Sequence, residues 1–354
     1  MTEPTYIPLR LHTEFSITDG MVRIKKLIAK AQEYGLPALG ISDLMNEFGL
    51  VKFYKACRSA GIKPIGAADV WIGNPNAPDK PFRAMLIIRN DAGYLRLSEL
   101  LTEAYVGKDR NIHHAELNPE WLENGDNSGL ICLSGAHYGE VGVNLLNGNE
   151  DAARAAALKY AAWFPDAFYL ELQRLPERPE WEACVSGSVK LAEELGLPVV
   201  ATHPTQFMSR DDFNAHEARV CIAGGWVLTD KKRPRDFTPS QFFLPPETMA
   251  ERFADLPEAL ENTVEIAKRC NLHITLGQNF LPLFPTPDGL SLDDYLVKLS
   301  NEGLQERMIQ LYPDEAERAA KMPEYQERLD FELNIIIQMK FPGYFLIVQD
   351  FINW

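Results

Sequence analysis

The sequence predicts an α/β protein: a distorted (β/α) barrel of about seven parallel strands, followed by a mostly helical extension. Three observations predict it. Short continuous apolar runs, such as residues 38–41, 130–133 and 199–201, alternate with stretches of helical apolar spacing, the pattern of strands covered on both faces. A phrase recurs in which a helix, a glycine, a proline turn and an apolar strand follow one another, at Gly35-Leu36-Pro37, Gly61-Ile62-Lys63-Pro64 and Gly196-Leu197-Pro198. Polar residues then collect at strand ends: Arg10 and His12, Asp43, Asp69, Glu171 and Gln173, His203 and Gln206. In barrels of this kind, chemistry sits at those ends.

Taken in order, Thr18, Asp19 and Gly20 are expected to cap a helix carrying Ile24, Leu27, Ile28, Ala31 and Tyr34 at helical spacing. Strands follow over 38–41, closing on Ser42 and Asp43, and over the run that closes on Asp69. Further strands fit 85–88, 130–133, 168–172 and 199–202. After about residue 275 the texture changes. Leu281-Pro282-Leu283-Phe284-Pro285-Thr286-Pro287 reads as a stiff connector. Tyr325, Leu329, Leu333, Ile336 and Ile337 form one apolar stripe of a later helix. The strongly apolar run 341–348 leads to Trp354 without a stop signal, which implies that the protein continues. The predicted domains are therefore 1–275 and 276–354.

Composition bounds the function. The 354 residues are 46% hydrophobic and 24% charged, as in ordinary globular chains. No apolar run approaches the roughly 18 residues of a membrane span, and the opening Met-Thr-Glu-Pro lacks the features of a signal peptide. Five scattered cysteines without a CxxC pair indicate a reduced, cytoplasmic chain with no membrane partner. A net charge of −15 argues against broad nucleic-acid contact by this segment. The one basic run, Lys231 to Arg235, is read as a solvated turn, with a phosphate contact as the alternative. Trp71, Trp121 and Trp226 are read as loop aromatics that are candidates for a surface contact.

The opening Leu9-Arg10-Leu11-His12 is a broken metal motif. A His-x-His pair on a strand turns two imidazoles to one face, but Arg10 is a permanent cation and cannot ligate. His and carboxylates converging at strand ends suit a metal hydrolase. An Asp after a strand equally suits a turn or an N-cap, and a lone His12 equally suits a hydrogen-bonded core.

The run His12-Thr13-Glu14-Phe15-Ser16-Ile17-Thr18-Asp19-Gly20 resembles the opening of the polymerase and histidinol phosphatase (PHP) family. More narrowly, the chain resembles the alpha subunits of bacterial replicative (C-family) DNA polymerase III. Pro37 to Asp43, Gly49 to Tyr54, Gly61 to Ile65, Gly129 to Gly135, Val199 to Thr202, Ala215-His216-Glu217, Asn262 to Ala267 and Phe341 to Val348 carry that likeness. The resemblance implies nine ligand positions: Arg10, His12, Asp43, Leu44, Asp69, Arg83, Ala136, Pro204 and Gln206. Only His12, Asp43 and Asp69 keep a ligating side chain, so six of the nine are lost, two of them to arginine. Arg10 and Arg83 are expected to pair with Asp43 or Asp69.

The resemblance further implies a parent polymerase whose palm carboxylates hold Mg2+, with residues 276–354 as linker and first part of that palm. It implies no catalytic residue and no metal in this segment, which would act as a scaffold docking the proofreading exonuclease (epsilon) subunit. The rest of the holoenzyme and primer–template DNA are the other implied partners. The alternative is a weakly active metal-dependent phosphoesterase or exonuclease using His12, Asp43, Asp69 and Glu171, with His203 as a further ligand. A freestanding histidinol-phosphate-type phosphatase is disfavoured, because the apolar run from Phe341 has no place there.

Overall fold

The computed structural model describes residues 4–278 and 281–354. Two compact units divide at Ile274 and Thr275. In the first, strands β1 (Ala38–Leu44), β2 (Lys63–Ile72), β3 (Phe82–Ile88), β4 (Leu130–Leu133), β5 (Phe168–Leu172) and β6 (Val199–Ala201) form one six-stranded sheet in sequence order. Helices α1 (Ile24–Glu33), α2 (Leu50–Ser59), α3 (Asp91–Val106), α4 (Pro119–Glu123), α5 (Glu140–Leu146), α6 (Glu150–Trp163), α7 (Glu182–Leu195), α8 (Phe213–Gly224), α9 (Pro246–Arg252) and α10 (Pro257–Arg269) complete the unit.

The expectation of about seven parallel strands needs correction in two respects. β3 runs antiparallel to both β2 and β4, while β1–β2, β4–β5 and β5–β6 pair in parallel. The link from β2 to β3 spans only residues 73–81, too short for the helical crossover that a parallel pair needs. The seventh position is an extended segment, residues 8–12, not a full strand. Gly40 N donates to Pro8 O (2.8 Å) and Ser42 N to Leu11 O (2.8 Å), while on the other side His12 N donates to Thr205 O (3.0 Å). This segment therefore bridges the two edges of the sheet. It lies so close to β1 that a Cβ on Gly40 would sit 2.4 Å from Leu9 O, so only glycine admits it.

Every strand is buried nearly throughout, which explains the continuous apolar runs. α1 buries Ile24, Leu27, Ile28 and Ala31 as its spacing predicts. Its N-cap is Arg23, without a side-chain cap, and not the Thr18-Asp19-Gly20 group expected from sequence. Asp19 is engaged elsewhere, as described below. All five cysteines are buried and free.

The second unit comprises α11 (Leu292–Leu311), α12 (Glu315–Gln338) and α13 (Pro342–Asn353). Leu296, Leu333 and Leu346 form its small core, with Leu329 and Ile336 packed against them, so much of the predicted stripe is core. Tyr325 instead places its hydroxyl 3.2 Å from that of Tyr312. Among the described residues, no single helix is long and apolar enough to cross a membrane.

Candidate functional site: a buried ion cluster at the strand ends

Residues 8–12 carry Arg10 and His12 to the C-terminal ends of the strands, both nearly enclosed. The Arg10 guanidinium grips Glu171 with two prongs, Nε to Oε1 at 2.7 Å and Nη2 to Oε2 at 2.9 Å. Its Nη1 donates to Asp69 Oδ2 at 2.5 Å. This fork geometry is what a planar guanidinium offers and an ammonium cannot. The same Asp69 oxygen lies 3.0 Å from Arg83 Nη2 and 3.1 Å from His12 Nε2. His12 Nδ1 reaches Asp19 Oδ1 at 2.9 Å. Glu171 is further held by Thr202 Oγ1 (2.5 Å), Gln173 Nε2 (3.2 Å) and the Gly135 amide (3.1 Å).

Of the two pairings expected for the arginines, both go to Asp69 and neither to Asp43. Asp43 is surrounded by uncharged donors: Thr13 N (2.6 Å), Thr13 Oγ1 (2.7 Å) and Ser16 Oγ (2.7 Å).

The protonation states follow from these contacts. Burial alone would lower the pKa of Arg10, but Asp69 and Glu171 raise it above the ordinary arginine value. Burial likewise works against the His12 imidazolium, yet Asp19 and Asp69 on its two nitrogens raise its pKa to about 9. Asp69 is buried, which favours its neutral form, but Arg10 and Arg83 hold it well below the usual carboxylate range. Asp19 is lowered by His12 against the same opposition from burial. Near neutrality Arg10 and His12 are thus held as cations, and Asp69 and Asp19 as anions. Asp43 stands apart, its pKa raised by burial against the hydrogen bonds from Ser16 and Thr13.

A metal does not fit these residues. Asp69 Oδ2 and both Glu171 oxygens are already engaged by guanidinium groups, which bring positive charge to the same place, while Asp43 is taken up by Thr13 and Ser16. Leu44 engages only backbone groups, its amide donating to Ser16 Oγ (3.1 Å) and its carbonyl accepting from Asn46 Nδ2 (2.9 Å), and Ala136 has only a small apolar side chain. Pro204 offers a carbonyl to Gln241 Nε2 (3.3 Å), and Gln206 sets its amide 3.4 Å from His12 Nδ1. His203 is not brought to the cluster. Its Nε2 lies 3.0 Å from Phe242 O, and burial with the Arg252 charge lowers its pKa to about 3. Among the described residues, no group of three His, Cys, Asp or Glu is placed to hold a metal ion.

The cluster floors a cavity of about 480 Å3, walled by Trp71, Arg83, His137, Tyr138, Trp181 and Gln206 among others. Arg83 packs over Trp71, 4.5 Å from the ring centre. His137 stacks on Trp181 at 3.5 Å, and burial followed by the charges of Arg10, Arg83 and Arg178 lowers its pKa to about 3. Sequence reasoning missed His137 and the role of Asp19. The latter sits beside a helix start and looked like a cap, whereas its carbonyl accepts from His216 Nε2 and its carboxylate faces His12.

Three surface expectations also change. Trp71 lies in β2 and Trp121 in α4, leaving Trp226 as the exposed loop aromatic of the three. Within the basic run, Arg233 is not solvated: its Nη1 pairs with Glu217 Oε2 at 2.5 Å, both side chains nearly buried.

Residues 8–175 match the PHP domain, and residues 294–354 match the bacterial DNA polymerase III alpha NTPase domain. A DNA polymerase III subunit alpha of Neisseria meningitidis serogroup A is 98% identical over 354 residues, all of this chain and 31% of that protein. The whole of this chain is thus similar to DNA polymerase III alpha subunits. Two further relatives carry the same name. The Escherichia coli K12 subunit is 47% identical across 100% of this chain and 30% of its own length, and the Pseudomonas fluorescens subunit 47% identical across 99% and 30%. The chain therefore spans just under a third of the length of these curated relatives.

Proposed function

We propose that this chain works within the catalytic alpha subunit of a cytoplasmic bacterial DNA polymerase III, in template-directed DNA replication. In this reading its first unit is a PHP domain kept as a scaffold, with no hydrolytic chemistry of its own. The observation that carries the scaffold reading is Arg10, whose guanidinium holds Glu171 and Asp69 together where ligands to a metal would be needed. The positions Arg10, His12, Asp43, Leu44, Asp69, Arg83, Ala136, Pro204 and Gln206 are then the remains of a ligand set, some of them now turned into a structural brace.

Polymerisation in this reading belongs to palm carboxylates holding Mg2+, which align the primer 3′-oxygen and the leaving pyrophosphate. Residues 276–354 supply the linker and first helical part of that palm, a reading supported by the domain match at 294–354. The partners are the proofreading exonuclease (epsilon) subunit, the remaining holoenzyme and primer–template DNA. Proofreading delegated to a partner is consistent with a domain whose surface, not its mouth, carries function.

The test is elemental analysis after dialysis against manganese and zinc, beside nuclease and phosphatase assays of wild type and Asp43→Asn. The proposal expects no stoichiometric metal and no hydrolysis that the variant alters. Bound metal together with manganese-dependent hydrolysis lost in Asp43→Asn would replace it with the weakly active phosphoesterase.

A further inference from the structure

The chain carries a net charge of −15, yet from Arg219 to Arg235 it holds five Lys or Arg against a single Asp. The same stretch exposes apolar side chains: Ile222 is 82% exposed, Val227 67%, Leu228 47% and Trp226 41%. The backbone presents them deliberately. α8 stops at Gly225, whose φ of +69° suits glycine, and Trp226 N donates back to Cys221 O at 2.8 Å. A second turn, Asp230 N to Val227 O at 2.9 Å, then holds Val227 and Leu228 outward.

Two of the five cations anchor this segment. Arg219 donates to Ile17 O (2.8 Å) and Glu14 O (2.9 Å), while Arg233 pairs with the nearly buried Glu217. Lys231, Lys232 and Arg235 remain exposed. The result is an apolar platform bordered by three outward cations on a chain that is otherwise acidic.

Single exposed apolar residues need no explanation, but four within seven positions beside a charged rim mark a contact surface. The chemistry selects the class of occupant. Nucleic-acid surfaces use aromatic platforms for bases and cations for phosphates. Here three of the four apolar groups are aliphatic and gain little against a phosphate backbone, but much against apolar side chains of a protein. We propose that residues 222–235 are a docking surface for a protein segment whose apolar anchors are flanked by Asp or Glu. The complementary charges would guide its approach and the aliphatic groups would hold it. This inference rests on the scaffold reading, and adds to it the surface and the character of the partner.

The test uses the full-length polymerase subunit with the purified proofreading exonuclease as one probe and fluorescent primer–template DNA as the other. Two exposed variants are compared with wild type, Ile222→Asp/Val227→Asp and Lys231→Glu/Lys232→Glu/Arg235→Glu, and their melting temperatures should match wild type. The apolar variant should weaken exonuclease binding about tenfold or more. The charge variant should slow association and flatten its dependence on salt. Both should keep wild-type affinity for DNA. If wild type binds the exonuclease and both variants bind equally well, this surface is wrong and the scaffold reading stands. Loss of DNA affinity with exonuclease binding unchanged would reassign the surface to nucleic acid and overturn the proposal. Failure of wild type to bind the exonuclease would remove the scaffold reading and this inference with it.

Discussion

Replacing Arg10 by methionine keeps most of the side-chain length and removes the cation that links Asp69 and Glu171. In wild type that guanidinium makes three charge-assisted contacts between 2.5 and 2.9 Å in a nearly dry setting. Removing one partner of a buried ion pair costs about 3–5 kcal/mol, because the opposite charges stay buried without compensation. Here two carboxylates lose that partner. Asp69 retains Arg83 and His12, and Glu171 retains Thr202, Gln173 and the Gly135 amide, which keeps the expected loss within that range. A loss of this size lowers the melting temperature by roughly 10 °C in a domain of this size. Circular dichroism melts of wild type, Arg10→Met and Arg10→Lys at pH 7 would measure it, with lysine intermediate because it cannot form the fork. The pH dependence provides a second check. Stranded carboxylates have raised pKa values, so the variant's deficit should shrink as the pH falls toward 5. A melting temperature within about 2 °C of wild type, given the usual few degrees per kcal/mol, would refute the view that this cluster braces the domain.

Two further perturbations test other parts of the reasoning. His12 has a folded-state pKa near 9 against an ordinary 6.5, so its contribution should be complete below pH 6.5 and lost as the pH rises through about 9. Chemical denaturation across that window should show the decline in wild type, and His12→Gln should flatten it; an equal decline in both would reject the assignment. Gly40→Ala should destabilise by about 3 kcal/mol or prevent folding, since the added carbon would meet Leu9 O at 2.4 Å, and unchanged stability would mean that residues 8–12 do not lie against β1 as described.

Much of the architecture was legible because buried strands leave continuous apolar runs and α1 leaves a clean 3.6-residue period. The reversed direction of β3 was missed, although Gly73, Asn74, Pro75 and Asn76 form a turn cluster too close to Phe82 for a crossover helix. Arg10 and Arg83 stood out because arginine cannot ligate, yet their choice of Asp69 over Asp43 depends on strand register. Asp43 faces Thr13 and Ser16, and nothing in a linear pattern distinguishes it from Asp69. Asp19 was assigned to the nearest helix because caps are local, whereas its partners His12 and His216 are brought to it only by folding. His137 had no motif at all, and its stacking on Trp181 joins two short 3-10 helices far apart in sequence.

The bridging position of residues 8–12 has a consequence for biosynthesis. Their outer edge is satisfied by Thr205, Arg10 finds Glu171, and Ile7 N finds Thr263 Oγ1. Ribosomes add about 5–20 residues each second, so residues 8–12 wait roughly 10–40 s for Thr205 to be made. During that interval the nascent sheet has an open edge, and Arg10 has only Asp69 to meet. Residues 8–12 are thus made before the sheet they close and settle only after it, which makes this interval the one in which a chaperone or an errant strand has most access to the growing chain.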